Sequence, residues 1–300
     1  AWQKLGGVEC STPARADVVC VNSCAITSKG ERDARNAVFR LRREAPKARL
    51  ILTGCAARLF ADYKPRPGAT WAAPDLLIAQ EHKDVLLQGP WVTPPVGLHS
   101  LTPHAEHPAG TFSTGSVSKP AAAIPALVPV TEDVTSRPAQ PEAFPPFAIS
   151  TFKRARPVLK VQDGCAHRCT YCIVPLTRGR PHSRPLEDIV AEARRLLEAG
   201  HVEIMISGIN LGQYGRGHDH LGDFWNLLRT LDAALSPDFA GQARFRISSL
   251  EPGQLNERGL DTLLGCALLC PHLHISLQHG SQRVLKRMGR GHYSAAMLEK

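Results

Sequence analysis

The sequence predicts an α/β protein in two parts: an amino-terminal open α/β domain over residues 1–89 and a partial (β/α) barrel over residues 151–300. Three observations predict it. Short β-branched runs alternate with stretches whose apolar residues recur every three or four positions, as strands and amphipathic helices do in turn. Four such β/α pairs fit into the last 150 residues, implying a parallel sheet that curls toward a barrel. Between the parts, residues 90–150 hold 12 of the chain's 24 prolines, few charges and no cysteine. That composition reads as a linker without a core of its own.

In the first part, residues 17–22 form a buried-type strand that ends in the polar turn Asn22-Ser23-Cys24. Residues 29–45 read as a helix with Ala34, Ala37, Val38, Leu41 and Ala45 on one side and Arg32, Arg35, Arg40, Arg42 and Arg43 on the other. Pro46 stops it. Residues 50–53 are the next strand, ending at Gly54-Cys55-Ala56, and 75–79 another, followed by a helix over 81–87. Cys24 and Cys55 thus both lie just past the carboxyl end of a parallel strand, the edge at which open α/β sheets bind ligands. Two thiols there could share a metal cluster, or could be small buried hydrophobes. Cys20 falls inside a strand, facing a core, and Cys10 in a loop.

In the second part, a strand over 158–162 delivers a cysteine-rich loop. A helix over 186–199 follows, with Glu187 and Asp188 in its first turn and Gly200 past its end. Then come a strand at 202–206, a helix at 224–235, a strand at 244–248, a helix at 259–269, a strand at 272–277 and the start of a helix at 282–288. Polar residues follow each strand, as an active-site rim requires. Gly208 permits close backbone approach to a ligand, and Glu251 and Gln278 could hold the amino-acid or ribose groups of a nucleoside cofactor. Arg178, Arg180 and Arg184 suit phosphate contacts to a nucleic acid, or a solvated surface. Cys266 and Cys270 read as core residues.

The loop itself holds Cys165, Cys169 and Cys172 at C-x3-C-x2-C spacing, with the aromatic Tyr171 before the third. Three thiolates on one short loop can ligate three corners of an iron–sulfur cube and leave its fourth iron open to a small molecule, whereas electron-transfer clusters close all four. Zinc is the competing reading and would require a fourth ligand, for which His167 is a candidate.

Bulk properties narrow the class. Lys and Arg number 36 against 27 Asp and Glu, a net +9 with a pI near 9.3, which suits a polyanionic partner, nucleic acid first. No apolar run of about 18 residues exists to span a membrane, and the first residues do not read as a signal peptide. Nine cysteines in a chain with no secretory signal favour metal ligation over a disulfide framework. The missing initiator Met reads as a fragment or a trimmed chain.

Taken together, several stretches resemble the radical S-adenosylmethionine (SAM) methylthiotransferases. They are residues 16–27, 52–56, 161–179, 208–215, 246–252 and 277–288, in the family's order. The resemblance implies a [4Fe-4S] cluster on Cys165, Cys169 and Cys172 whose open iron holds SAM, with Tyr171, Gly208, Glu251 and Gln278 at the cofactor. One-electron cleavage then gives a 5′-deoxyadenosyl radical that abstracts hydrogen from an inert C–H bond. It also implies a second, auxiliary [4Fe-4S] cluster on Cys24 and Cys55, whose third cysteine would lie upstream of residue 1, and a carboxyl-terminal RNA-binding barrel beyond residue 300. Within the family the likeness is strongest to the branch acting on threonylcarbamoyladenosine at position 37 of tRNA. Branches acting on isopentenyladenosine or a ribosomal protein are the alternatives, as is a non-catalytic zinc- or RNA-binding module. The implied partners are tRNA and an electron donor of flavodoxin or ferredoxin type. The implied location is cytoplasmic, with no membrane.

Overall fold

The computed structural model describes residues 2–61, 73–91 and 155–298. The chain divides into two compact units, residues 1–136 and 137–300. Most of the expected linker, from residue 92 on, lies outside the described residues.

The first unit is a three-stranded parallel sheet in the order β1 (Val18–Ser23), β2 (Arg49–Gly54), β3 (Leu76–Ile78). Alternation along β2 and β3 sorts the core. Leu50, Leu52 and Leu77 pack with Val38 and Phe60 on one face, while Ile51, Leu76 and Ile78 pack with Leu86 on the other. Helix α1 (Ser28–Glu44) links β1 to β2, as a parallel pair requires. Its start is fixed by Thr27, whose hydroxyl accepts from Gly30 N at 3.0 Å, and its buried stripe is Ala34 and Val38. A short helix, α2 (Cys55–Ala61), leaves β2 without a loop. The segment after β3 is a 3₁₀ helix, Gln80–Gln88.

The second unit centres on a parallel sheet of β4 (Val158–Lys160), β7 (Glu203–Ser207) and β8 (Arg244–Ile247). A small antiparallel pair, β5 (Gln162–Asp163) with β6 (His182–Ser183), continues from β4. Between them runs the one-turn helix α3 (Val174–Thr177). Helix α4 (Leu186–Glu198) precedes β7, α5 (Phe224–Phe239) precedes β8, and α6 (Glu257–Gly265) and α7 (Gln282–Arg287) follow. Asp223 and Asn256 cap α5 and α6 through Asn226 N and Gly259 N, each at 2.9 Å. Leu159, Ile204, Ile206, Phe245 and Ile247 of the strands pack on Ile189, Leu196, Leu227 and Leu231 of the helices. Burying each such side chain is worth about 1.5–3 kcal/mol. The α/β class and the partial β/α barrel stand.

Four expectations are corrected. Residues 272–277 form no strand: beyond β8, among the described residues, only the isolated bridges Phe245↔Leu269 and Leu250↔Ile275 occur. That segment has one neighbour, and Leu273 and Leu277 stay exposed. The helix over 259–269 ends at Gly265. Cys20 is exposed, not core-facing, and Cys266 and Cys270 are half-buried. No helix among the described residues is long and apolar enough to cross a membrane.

Candidate functional site

The loop that carries the cysteines is held at its root by Gln162, which is fully buried. Its amide nitrogen donates to Asp163 O and Gly164 O at 2.7 and 2.8 Å, and its oxygen accepts from Asn210 N at 2.9 Å. One side chain thus ties the start of the loop to the rim after β7. Asp163 accepts from Gly164 N at 2.9 Å and pairs with Lys160 and Arg178 at 2.5 and 3.0 Å. Burial pushes its carboxyl up, but the two cations outweigh that and hold it below the usual range. Gly164 turns with φ +70, and a Cβ there would lie 1.9 Å from Arg180 O, so only glycine fits.

Cys165, Cys169 and Cys172 are all half-buried. Cys165 Sγ faces His167 N at 3.4 Å, Gln213 Nε2 at 3.5 Å and Asn210 Nδ2 at 4.0 Å. Cys169 Sγ accepts from Arg290 Nη1 at 3.5 Å, and Cys172 N donates to Cys169 O at 3.0 Å. Burial pushes the Cys165 and Cys172 thiols up. Sulfurs ringed by N–H donors are what a thiolate-ligated cluster requires, since those donors share the anionic charge. A lone zinc fits less well. Zn–S bonds of about 2.3 Å would draw the sulfurs to about 3.8 Å apart. Among the described residues, the group with ligating atoms all within 4.8 Å of one another is instead His167, Glu251 and His292.

Those three residues belong to the wall of a cavity of about 500 Å³, a volume suited to a nucleoside-sized ligand. Asn210, Gln213, Gln254, Arg216 and Asp223 add to its polar lining. Glu251 is its anchor. One oxygen lies 2.5 Å from Arg290 Nη2, and the other 3.0 Å from His292 Nε2 and 3.7 Å from His167 Nδ1. The His167 and His292 rings stack at 3.7 Å. Desolvation lowers both histidines, and the Arg290 guanidinium beside them adds to this. With that guanidinium on the same carboxylate, a further cation there is opposed. Gln254 completes the rim, donating to Asn210 Oδ1 at 2.8 Å while its own oxygen accepts from Glu251 N at 3.0 Å.

Of the residues singled out from sequence, the structure brings Glu251 to the cavity and places the three cysteines on the adjoining loop. Gly208 does approach something closely, but it is protein. A Cβ there would sit 3.0 Å from Gln162 Cβ and 2.9 Å from Leu211 Cδ2. Gln278 is exposed and outside the cavity wall, because the strand expected to carry it does not form. Tyr171 is 54% exposed, and its hydroxyl meets Arg290 Nη1 at 3.2 Å. Arg184 is 2% exposed and pairs with buried Glu192 at 2.6 Å, so it is a structural cation rather than a surface one. Arg178 lies on Asp163, and Arg180 is exposed. Sequence reasoning did not single out Gln213, Gln254, Arg290 or His292. The first two sit in or beside the stretches that carry the resemblance, whereas nothing local marks the last two.

In the first unit, β1 and β2 pair Ser23 with Gly54, so Cys24 and Cys55 each follow a residue of the same rung, on strands about 4.8 Å apart. Ser23 Oγ laces the rung, donating to Thr53 O at 2.6 Å and accepting from Ala56 N at 3.2 Å. Gly54 sits at φ +93, and a Cβ there would lie 2.3 Å from Ser23 O, so the position requires glycine. Cys24 is exposed and Cys55 buried at the start of α2. Cys10 bonds Thr12 O at 3.2 Å in an exposed turn.

Two family profiles match the chain. Residues 159–300 match the radical SAM superfamily, and residues 1–63 match the uncharacterized protein family UPF0004. Among curated proteins, the threonylcarbamoyladenosine tRNA methylthiotransferase MtaB of Thermotoga maritima is 31% identical over 271 residues, 90% of this chain and 52% of that protein. That of Aquifex aeolicus is 28% identical over 277 residues, 92% and 57%. The tRNA-2-methylthio-N(6)-dimethylallyladenosine synthase of Syntrophobacter fumaroxidans is 30% identical over 293 residues, 96% and 55%. The chain spans about half the length of the curated relatives it matches. Among solved structures, the radical SAM methyltransferase TsrM of Kitasatospora setae with cobalamin and a [4Fe-4S] cluster bound aligns with 94% of this chain and 52% of that one, at TM-score 0.55 and 16% identity. That is a likeness of fold.

Proposed function

Residues 159–300 belong to the radical SAM superfamily and residues 1–63 to family UPF0004, and from that footing we propose that the chain serves a tRNA methylthiotransferase acting on threonylcarbamoyladenosine at position 37. The observation that carries the reading is the three-cysteine loop set against a polar cavity of nucleoside size. Cys165, Cys169 and Cys172 hold the [4Fe-4S] cluster. When bound, the cluster supplies an open iron and the electron that cleaves SAM.

The chain's own residues then bind and orient. Glu251, held by Arg290, accepts a hydrogen bond from the neutral amino group of SAM. Asn210, Gln213 and Gln254 offer amides to its carboxylate and ribose hydroxyls. Gln213 reaches both the loop, through Ala166 N at 2.8 Å, and Cys165 Sγ, so it couples the loop to the cavity. Arg290 does the same from the other side through Cys169 Sγ and Glu251.

Cys24 and Cys55 provide two ligands of an auxiliary [4Fe-4S] cluster that delivers the sulfur, a role supported by their shared rung at the carboxyl edge of the sheet. A flavodoxin- or ferredoxin-like protein delivers the electron, and a tRNA substrate places the work in the cytoplasm. Residues 1–89 form the sulfur-delivering domain and 151–300 the radical SAM domain, with 90–150 as linker. Of the three relatives named above, two are named for threonylcarbamoyladenosine and one for dimethylallyladenosine. Mass analysis of nucleosides in tRNA from cells lacking the gene tests the choice. Loss of the methylthio group from threonylcarbamoyladenosine alone supports it, and loss from isopentenyladenosine refutes it.

A further inference from the structure

We propose that Arg168 and the α7 side chains Arg283, Lys286 and Arg287 form a phosphate-binding rim that seats the substrate RNA's single-stranded loop over the cysteine loop. The inference rests on the tRNA reading above and names the surface that does the docking.

All four side chains are exposed, and none enters an ion pair among the described residues. Arg283, Lys286 and Arg287 are spaced i, i+3, i+4, which puts them on one face of α7, while Leu285 is buried beneath. The carboxyl end of that helix is bonded to the cysteine loop. Thr170 N donates to Met288 O at 3.0 Å and Thr170 Oγ to Arg287 O at 3.5 Å. A Cβ on Gly289, itself at φ +69, would lie 2.8 Å from Arg168 O, so the two segments touch backbone to backbone. Three residues past Arg287, Arg290 turns inward to the cavity's Glu251. The basic face therefore borders both the loop and the cavity wall.

No Asp or Glu occurs in residues 164–180 or 281–298, so nothing on either segment offsets the positive field. Three of the four cations are arginines, whose planar fork matches a phosphate's oxygens. Two of the three arginines expected from sequence to do this work are otherwise engaged, Arg184 with Glu192 and Arg178 with Asp163. An acidic electron-donor protein is the other polyanion that could use such a face. A nucleic-acid loop fits better because its target base must enter beside the cysteine loop.

The test measures affinity of the reconstituted full-length protein for a tRNA transcript across salt concentrations. It compares wild type, Arg283→Gln/Lys286→Gln/Arg287→Gln, and the charge-keeping Arg283→Lys/Arg287→Lys. Equal iron content and melting temperature establish that each variant is folded. The triple variant is expected to bind at least about tenfold more weakly, with the log–log salt slope shallower by about two, from roughly 0.7 per single-strand phosphate contact. The lysine variant is expected to keep the slope. An unchanged slope and affinity in the triple variant overturns the rim while leaving the tRNA reading intact. Unchanged tRNA affinity with slowed reduction by the donor protein overturns it in favour of a protein partner. Wild type that binds no tRNA overturns the rim and the tRNA reading together.

Discussion

Arg290 lies 2.5 Å from Glu251 through one guanidinium nitrogen and 3.5 Å from Cys169 Sγ through the other. It is 4% exposed and joins the cavity's anchoring carboxylate to the second cysteine. Arg290→Met strips Glu251 of its guanidinium partner and leaves the histidine pair beside it. It is expected to lower stability by about 2–3 kcal/mol, since breaking a largely buried ion pair strands the remaining charge. SAM affinity, read by isothermal titration of the reconstituted protein, is expected to fall at least about tenfold. Unchanged affinity would show that Glu251 needs no clamp.

Gly164→Ala tests the root of the loop. The positive φ and the 1.9 Å approach to Arg180 O leave no room for a methyl group. A cost of roughly 1–3 kcal/mol is expected from the backbone alone, with a matching fall in iron bound after anaerobic reconstitution. Full iron content would show that the loop can reshape freely.

Arg184→Gln separates the structural arginine from the surface ones. Removing one partner of a buried pair costs about 3–5 kcal/mol, so the melting temperature is expected to drop steeply. The paired replacement Arg184→Met/Glu192→Leu is expected to recover most of the loss. The salt dependence of tRNA binding in that double variant should match wild type. A shallower slope would return Arg184 to the RNA surface.

What the sequence made legible follows from range. The strands of the first unit could be read because Leu50, Ile51 and Leu52 are buried on both faces, so a plain apolar run sufficed. The cysteine loop could be read because its chemistry is written in spacing over eight residues. Residues 272–277 misled because Leu273, Ile275 and Leu277 alternate like a strand, yet a strand forms only where a neighbour accepts its ladder. Arg184 misled because a buried arginine and a solvated one carry the same letter, and Glu192, its partner, stands on the helix that follows. Arg290 and His292 stayed hidden because they meet the loop across more than 115 residues of chain, a distance no periodicity spans.

Glu203 gives the second unit an acid-sensitive joint. Hydrogen bonds from Arg246 at 2.8 Å and Arg244 at 2.6 Å hold its carboxyl down to about 2, against an unfolded value near 4.5. A depressed carboxylate contributes stability above its unfolded pKa and loses it as pH falls through the folded one. The contribution should therefore disappear between about pH 4.5 and 2. Glu203→Gln is expected to cost roughly 2 kcal/mol at pH 7, discounted for the exposure of Arg244, and to flatten the stability curve in that window. Parallel acid-unfolding curves for the two proteins would contradict this.

The account turns on a cluster that the polypeptide closes at three corners only. Electron–nuclear double resonance on the reduced, anaerobically reconstituted protein addresses it, using SAM labelled with ¹⁷O in its carboxylate and ¹⁵N in its amino group. Hyperfine coupling from both labels is the predicted result, and it should vanish together with the cluster signal in Cys169→Ala. A [4Fe-4S] signal that SAM leaves unchanged, with neither label coupled, would contradict the account.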